Sequence, residues 1–116
     1  MLTNLLIIPA VKAAVEAFQS ADKVAWRRLF TSRADLYEDG APSDLERFTR
    51  EALGRDSFLS IDRIANDGLY IEGNINSPHS SIFRIYFNFE LNDSGKILRL
   101  DIGRIEDTDS FGSASD

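Results

Sequence analysis

Residues 83–91 read Phe-Arg-Ile-Tyr-Phe-Asn-Phe-Glu-Leu. In an extended chain successive side chains point to opposite faces, so Phe83, Ile85, Phe87, Phe89 and Leu91 share one side and Arg84, Tyr86, Asn88 and Glu90 the other. A helix of 3.6 residues per turn would scatter those five apolar groups around its circumference. The stretch therefore predicts a long strand with one apolar and one mixed face, as in an antiparallel sheet covered on one side only.

The flanking sequence extends the sheet. Asn92 to Gly95 is turn chemistry, and a last strand follows with Leu98, Leu100 and Ile102 opposed to Arg99 and Asp101. Upstream, Ser77-Pro78-His79-Ser80 forms another turn. Before it, runs at about 58–65 and 69–76 are separated by Asn66-Asp67-Gly68, residues that tolerate the positive φ of a tight turn. Four consecutive antiparallel strands result.

The layer that covers them precedes them. Val11, Ala14, Val15 and Phe18 recur at helical spacing behind Pro9, which suits a first helical turn, and predict a helix over 9–20. A second helix starts at Asp22, whose carboxylate can cap free backbone N–H groups, and aligns Ala25, Trp26, Leu29 and Phe30. Arg27, Arg28 and Arg33 lie off that stripe and read as a solvated face. Ala34 to Asp39 is a short strand ended by Gly40, Ala41 and Pro42. Ser43 and Glu46 then match the S-x-x-E capping box, with Leu45, Phe48, Thr49 and Ala52 on one face of a third helix and Gly54 at its C-cap.

Composition narrows the function classes. At 116 residues the chain is the size of one domain, and it has no cysteine. This excludes a disulfide framework, a thiolate zinc site and a cysteine nucleophile, and it suits a cytoplasmic protein. Of the formal charge of -6, four units sit in Glu106, Asp107, Asp109 and Asp116, which no basic residue accompanies. The nearly balanced remainder has no basic field for nucleic acid. The apolar run Leu5 to Ile8 lacks a basic preceding region and is followed closely by Lys12 and Glu16, so neither a secretory signal nor a membrane span is expected. The chain divides into a single domain over 1–106 and an acidic tail, 107–116, too poor in apolar residues to order itself.

The order helix, helix, short strand, helix, then four long strands resembles the nuclear-transport-factor-2-like superfamily, and in particular its SnoaL-like and ketosteroid-isomerase-related branch. The local likeness rests on Asp22 to Phe30, with Leu29-Phe30 before the strand, and on Tyr37-Glu38-Asp39-Gly40 at the strand end. The resemblance implies an α+β cone, in which three helices pack on a curved antiparallel sheet of cystatin-like type. It also implies that Asp39, or Glu38 in the other register, stands where that branch places its proton-shuttling base. The isomerase mechanism further requires hydrogen-bond donors for a developing enolate. The positions matching those donors hold Ala14 and Phe87, so steroid isomerisation is not expected unless Tyr37, Tyr70 or Trp26 supplies a donor.

The ligand-site expectation follows. Trp26, Phe30, Tyr37, Phe83 and Phe87 would line an apolar pocket. Arg104, on the inward parity of Leu100 and Ile102, would face Glu38 or Asp39 at its mouth. A filled cone serving as a non-catalytic dimerisation or protein-interaction module is the alternative. His79, alone in a turn, reads as solvated. No metal or other cofactor is expected, and a small apolar ligand is. The outer face, with Arg84, Tyr86, Asn88, Arg99 and Asp101, is suited to a homodimer.

Overall fold

The structure, a computed structural model, describes residues 6–78 and 81–105. His79 and the acidic tail lie outside the described residues, and the expectations placed on them end there. Helices α1 (Pro9–Ser20) and α2 (Lys23–Arg28) come first, followed by β1 (Phe30–Glu38), β2 (Ala41–Ser43) and α3 (Leu45–Ala52). Strands β3 (Ser57–Ala65), β4 (Tyr70–Ser77), β5 (Ser81–Leu91) and β6 (Ile97–Ile105) complete one sheet in the order β2-β1-β6-β5-β4-β3. The fold is the three-helix, α+β cone expected. Its sheet is mixed, because β1 runs parallel to β6 while every other pair is antiparallel. Among the described residues no helix is long and apolar enough to cross a membrane.

The helices lie on the inner face of the sheet. Val11, Ala14, Val15 and Phe18 of α1 and Trp26 of α2 are buried there, against Ile71, Phe87 and Leu100 from the strands. Burying side chains of this size is worth about 1.5–3 kcal/mol each, which is why the two apolar patterns select each other. Ala21 takes a left-handed conformation at φ 58, ending α1, and Asp22 then caps α2 by accepting from Ala25 N at 3.0 Å.

Four local expectations are corrected. Ser43 does not cap α3. Asp44 does, accepting from Arg47 N at 3.0 Å, while Ser43 donates to Glu38 and Glu46 turns to Arg27. The C-cap is the extended Leu53, one residue before Gly54. Leu98 is not the inward residue at the start of β6. A register shift between Glu90 and Leu91 pairs Leu91 with Ile97, so Ile97 is buried and Leu98 is only partly covered. β1 is also longer than its sequence suggested, because α2 stops at Arg28 and releases Phe30 into the strand opposite Ile97.

Two glycines permit close approach. At Gly73 in β4 an added Cβ would lie 1.9 Å from the Ser60 carbonyl oxygen on β3. At Gly103 in β6 it would meet the Tyr86 ring, which lies over this position on the outer face. There Tyr86 stacks on Tyr70, with centroids 5.5 Å apart and planes 17° from parallel.

Candidate functional site

The open end of the helix–sheet layer is built where β1 stops. Glu38 pairs with Ile102 and shares its inner face, and the chain then turns through Asp39 at φ 52 and Gly40 at φ 85. Asp39 is tied to β6 twice. Its N–H donates to Ile102 O at 2.8 Å, and its Oδ1 accepts from Arg104 N at 3.0 Å. The carboxylate thus extends the β1–β6 ladder by one residue. Glu38 Oε1 accepts from Ser43 Oγ at 2.6 Å, which ties the same strand end to the end of β2.

Around these acids the surface forms a hollow of about 200 Å³, lined by Glu38, Asp39, Arg55, Phe83, Ile85 and Arg104 among others. A second hollow, of about 230 Å³, borders it on the α3 side and shares Glu38, Phe48 and Arg55. The Arg104 guanidinium lies 4.2 Å from the centroid of the Phe83 ring. The expected ion pair between Arg104 and Glu38 or Asp39 does not form: among the described residues Arg104 makes no ion pair, and the aromatic face takes that place. Arg55 is hydrogen-bonded by the Asp56 carboxylate at 2.9 Å through two nitrogens, and this raises its already high pKa.

Of the residues singled out from sequence, Glu38, Asp39, Phe83 and Arg104 therefore converge. Trp26 and Phe87 are 0% and 1% exposed, and Phe30 is 8% exposed. Their rings pack with Phe18, Phe58 and Phe89 at centroid distances of 5.1–6.1 Å and form one aromatic cluster in the core. Tyr37 faces outward, because its neighbour Glu38 faces inward, and carries Arg99 4.0 Å above its ring. Arg55, Asp56, Phe48 and Ile85 join the mouth without having been foreseen. Phe48 and Ile85 were legible as inward positions, whereas Arg55 and Asp56 reach the mouth only through the turn at Gly54.

The chemistry available is that of three carboxylates, one of them already paired with Arg55, and two guanidiniums around an apolar patch. The two positions that would hold oxyanion donors, Ala14 and Phe87, are buried and apolar. Tyr70 donates its hydroxyl to Glu72 on the outer face at 2.6 Å, Tyr37 lies on that same outer face, and Trp26 sits in the core. Among the described residues no group of three or more His, Asp or Glu side chains gathers in a way that could hold a metal ion.

The outer face carries its own network. Glu72 is 8% exposed and accepts from Tyr70 Oη at 2.6 Å and from Arg84 at 3.2 Å, with Arg63 3.5 Å away. Arg84 also grips Asp62, with one bond at 3.0 Å, and this holds the Asp62 carboxyl below its usual range.

No protein-family model matches the sequence, and no curated protein matches it. Solved structures do match. A nuclear-transport-factor-2-like protein of unknown function from Cytophaga hutchinsonii superposes with a TM-score of 0.67 at 12% identity, over 92% of this chain and 96% of that one. An epoxide hydrolase of the LEH-like type from M. tuberculosis gives 0.60 at 23%, over 84% and 81%. The orange carotenoid protein of Anabaena (Nostoc), solved binding canthaxanthin, gives 0.65 at 21%, over 84% of this chain and 35% of that chain, so the chain spans about a third of its length. At these identities the likeness establishes the fold.

Proposed function

We propose that this chain, built on the nuclear-transport-factor-2-like fold, is a small-ligand-binding protein that holds an amphipathic molecule at the mouth of its cone. The apolar part of the ligand lies on Phe83, Ile85 and Phe48, and an anionic or carbonyl end faces Arg104. The observation that carries this reading is the Arg104 guanidinium, exposed and without an ion-pair partner among the described residues. It lies over the Phe83 ring in a hollow that also holds the carboxylates of Glu38, Asp39 and Asp56. A cation on an aromatic face keeps its capacity to bind a second, anionic group. The carotenoid-binding neighbour is consistent with a fold that accommodates apolar ligands. In this reading Asp39 is a backbone clamp first. With no oxyanion donors beside it, steroid isomerisation is not the activity. The absence of cysteine fits a cytoplasmic location.

The test is thermal unfolding with 3-phenylpropanoate, its primary amide and 3-phenylpropanol. Binding to the folded state alone adds about 2.7 kcal/mol of stability at one hundred times Kd. The carboxylate should raise the melting temperature most, and Arg104→Ala should remove that advantage. If none of the three compounds stabilises the protein at millimolar concentration, or if Arg104→Ala changes nothing, the reading fails.

A second reading is favoured by a separate observation. The core holds a cluster of packed aromatic rings, and the outer face combines a stacked tyrosine pair with compensated charges around the buried Glu72. Such a face, polar but internally neutralised, suits a self-complementary homodimer through the sheet.

A further inference from the structure

The mouth of the cone carries more charge than a single anionic group on a ligand would satisfy. Its hollow of about 200 Å³ is lined by three carboxylates, those of Glu38, Asp39 and Asp56, and by the guanidiniums of Arg55 and Arg104. One pair cancels, because Arg55 donates from Nε and Nη2 to the two oxygens of Asp56, both at 2.9 Å. Glu38 acts on Arg55 only through space, and less than Asp56 and Glu51 do. One cation, Arg104, and two carboxylates, Glu38 and Asp39, are left over. Among the described residues none of the three takes part in an ion pair, so the Arg104 guanidinium stands more than 4.0 Å from either carboxylate. They border one hollow without neutralising one another.

Neither carboxylate is fully engaged. Glu38 Oε1 accepts from the Ser43 hydroxyl at 2.6 Å, and Asp39 Oδ1 accepts from the Arg104 backbone N–H at 3.0 Å. In each the second oxygen has no donor among the described residues. Asp39 and Arg104 are exposed and Glu38 is half-buried, so a dissolved molecule can reach all three. Phe83 and Ile85 add apolar wall to the same hollow. A ligand with an anion alone would pair with Arg104 and be repelled by Glu38 and Asp39, whereas a cation alone would leave Arg104 without a partner. A molecule carrying both charges satisfies the whole set.

We infer that the ligand of this mouth is a zwitterion of the aromatic amino-acid class. Its ammonium is held by Glu38, its carboxylate by Arg104, and its ring lies against Phe83 and Ile85. The inference rests on the reading of the mouth as a ligand site and adds a second charge to that ligand.

L-Phenylalanine and 3-phenylpropanoate differ only in the α-ammonium, and 2-phenylethylamine keeps the ammonium without the carboxylate. Calorimetric titration of the full chain with these three at neutral pH therefore separates the two charges. L-Phenylalanine should bind about tenfold more tightly than either of the others, the contribution of one additional charge-assisted hydrogen bond. Glu38→Gln, whose amide oxygen can still accept from Ser43, should bring L-phenylalanine to the affinity of 3-phenylpropanoate. If 3-phenylpropanoate binds and L-phenylalanine binds no more tightly, the zwitterion is refuted while the mouth stands as an anion site. If 2-phenylethylamine equals L-phenylalanine, Arg104 has no part in holding the ligand and the inference falls. If none of the three binds at millimolar concentration, the reading of the mouth as a ligand site falls with it. The wild-type comparison decides the question even where Glu38→Gln does not fold.

Discussion

Replacing Gly73 by alanine tests the close packing of β3 on β4. Gly73 lies opposite Ile61 in the β3–β4 pair, between two register shifts of β3. An added methyl would stand 1.9 Å from Ser60 O, 2.9 Å from its carbonyl carbon and 3.0 Å from Ile61 Cα, all backbone atoms that no rotamer change can move aside. Relief to a tolerable contact requires β3 to retreat by about 1 Å. That stretches nearby ladder bonds beyond the usual hydrogen-bond range. Two backbone bonds lost at about 1 kcal/mol each, with a further 1–2 kcal/mol from loosened packing, outweigh the 0.5–1 kcal/mol that alanine gains over glycine in a strand. The packing at stake is that of Phe58 and Ile61, 4% and 5% exposed. The net loss is about 2–3 kcal/mol, which for a domain of this size lowers Tm by roughly 10 °C. Urea unfolding followed by circular dichroism measures it as a reduced midpoint with an unchanged slope. A loss smaller than about 0.5 kcal/mol, within the ordinary range for surface substitutions, would show that β3 and β4 do not approach as described.

Two further outcomes are expected. Burial, and then the hydrogen bond to Glu72, push the Tyr70 phenol up to about 12. A folded pKa raised above the unfolded one contributes stability below pH ~10 that is lost as pH rises toward 12. Absorbance at 295 nm, compared between the wild type and Tyr70→Phe, should therefore show the Tyr70 phenol still protonated at pH 11, and Tyr70→Phe should flatten the stability profile over that window; a Tyr70 phenol titrating near its ordinary value would contradict the network around Glu72. For the sheet-face dimer, sedimentation should give twice the 13.0 kDa chain mass, and Ile82→Arg, at an outer position 60% exposed, should return it to monomer with unchanged stability. A monomer at 100 μM in the wild type would refute that reading.

The two periodicities were legible because each is set by one dominant force. The alternation from Phe83 to Leu91 and the helical stripe from Val11 to Phe18 both record which side faces the core. What sequence concealed were choices made by tertiary partners. Ser43 and Asp44 can each cap a helix, and Glu38, reachable only in the folded chain, draws Ser43 away. Leu98 and Ile97 exchanged places because period-two reasoning assumes an unbroken ladder, and a bulge breaks it. Tyr37 could have been placed, since a residue beside an inward Glu38 must face outward. Whether the aromatic residues of the interior enclose a void depends on how closely the layers approach, and no pattern of residue types encodes that distance.

The parallel pairing of β1 with β6 has a consequence for the order of events during synthesis. The strand made last lies near the middle of the sheet, between β1 and β5. Until residues 97–105 have left the ribosome, β1 lacks its longest neighbour and Val15, Phe18 and Trp26 lack part of their cover. The nascent chain therefore cannot reach its native topology domain-first from the N-terminus, and its hydrophobic half must wait, exposed to chaperones, for the closing strand.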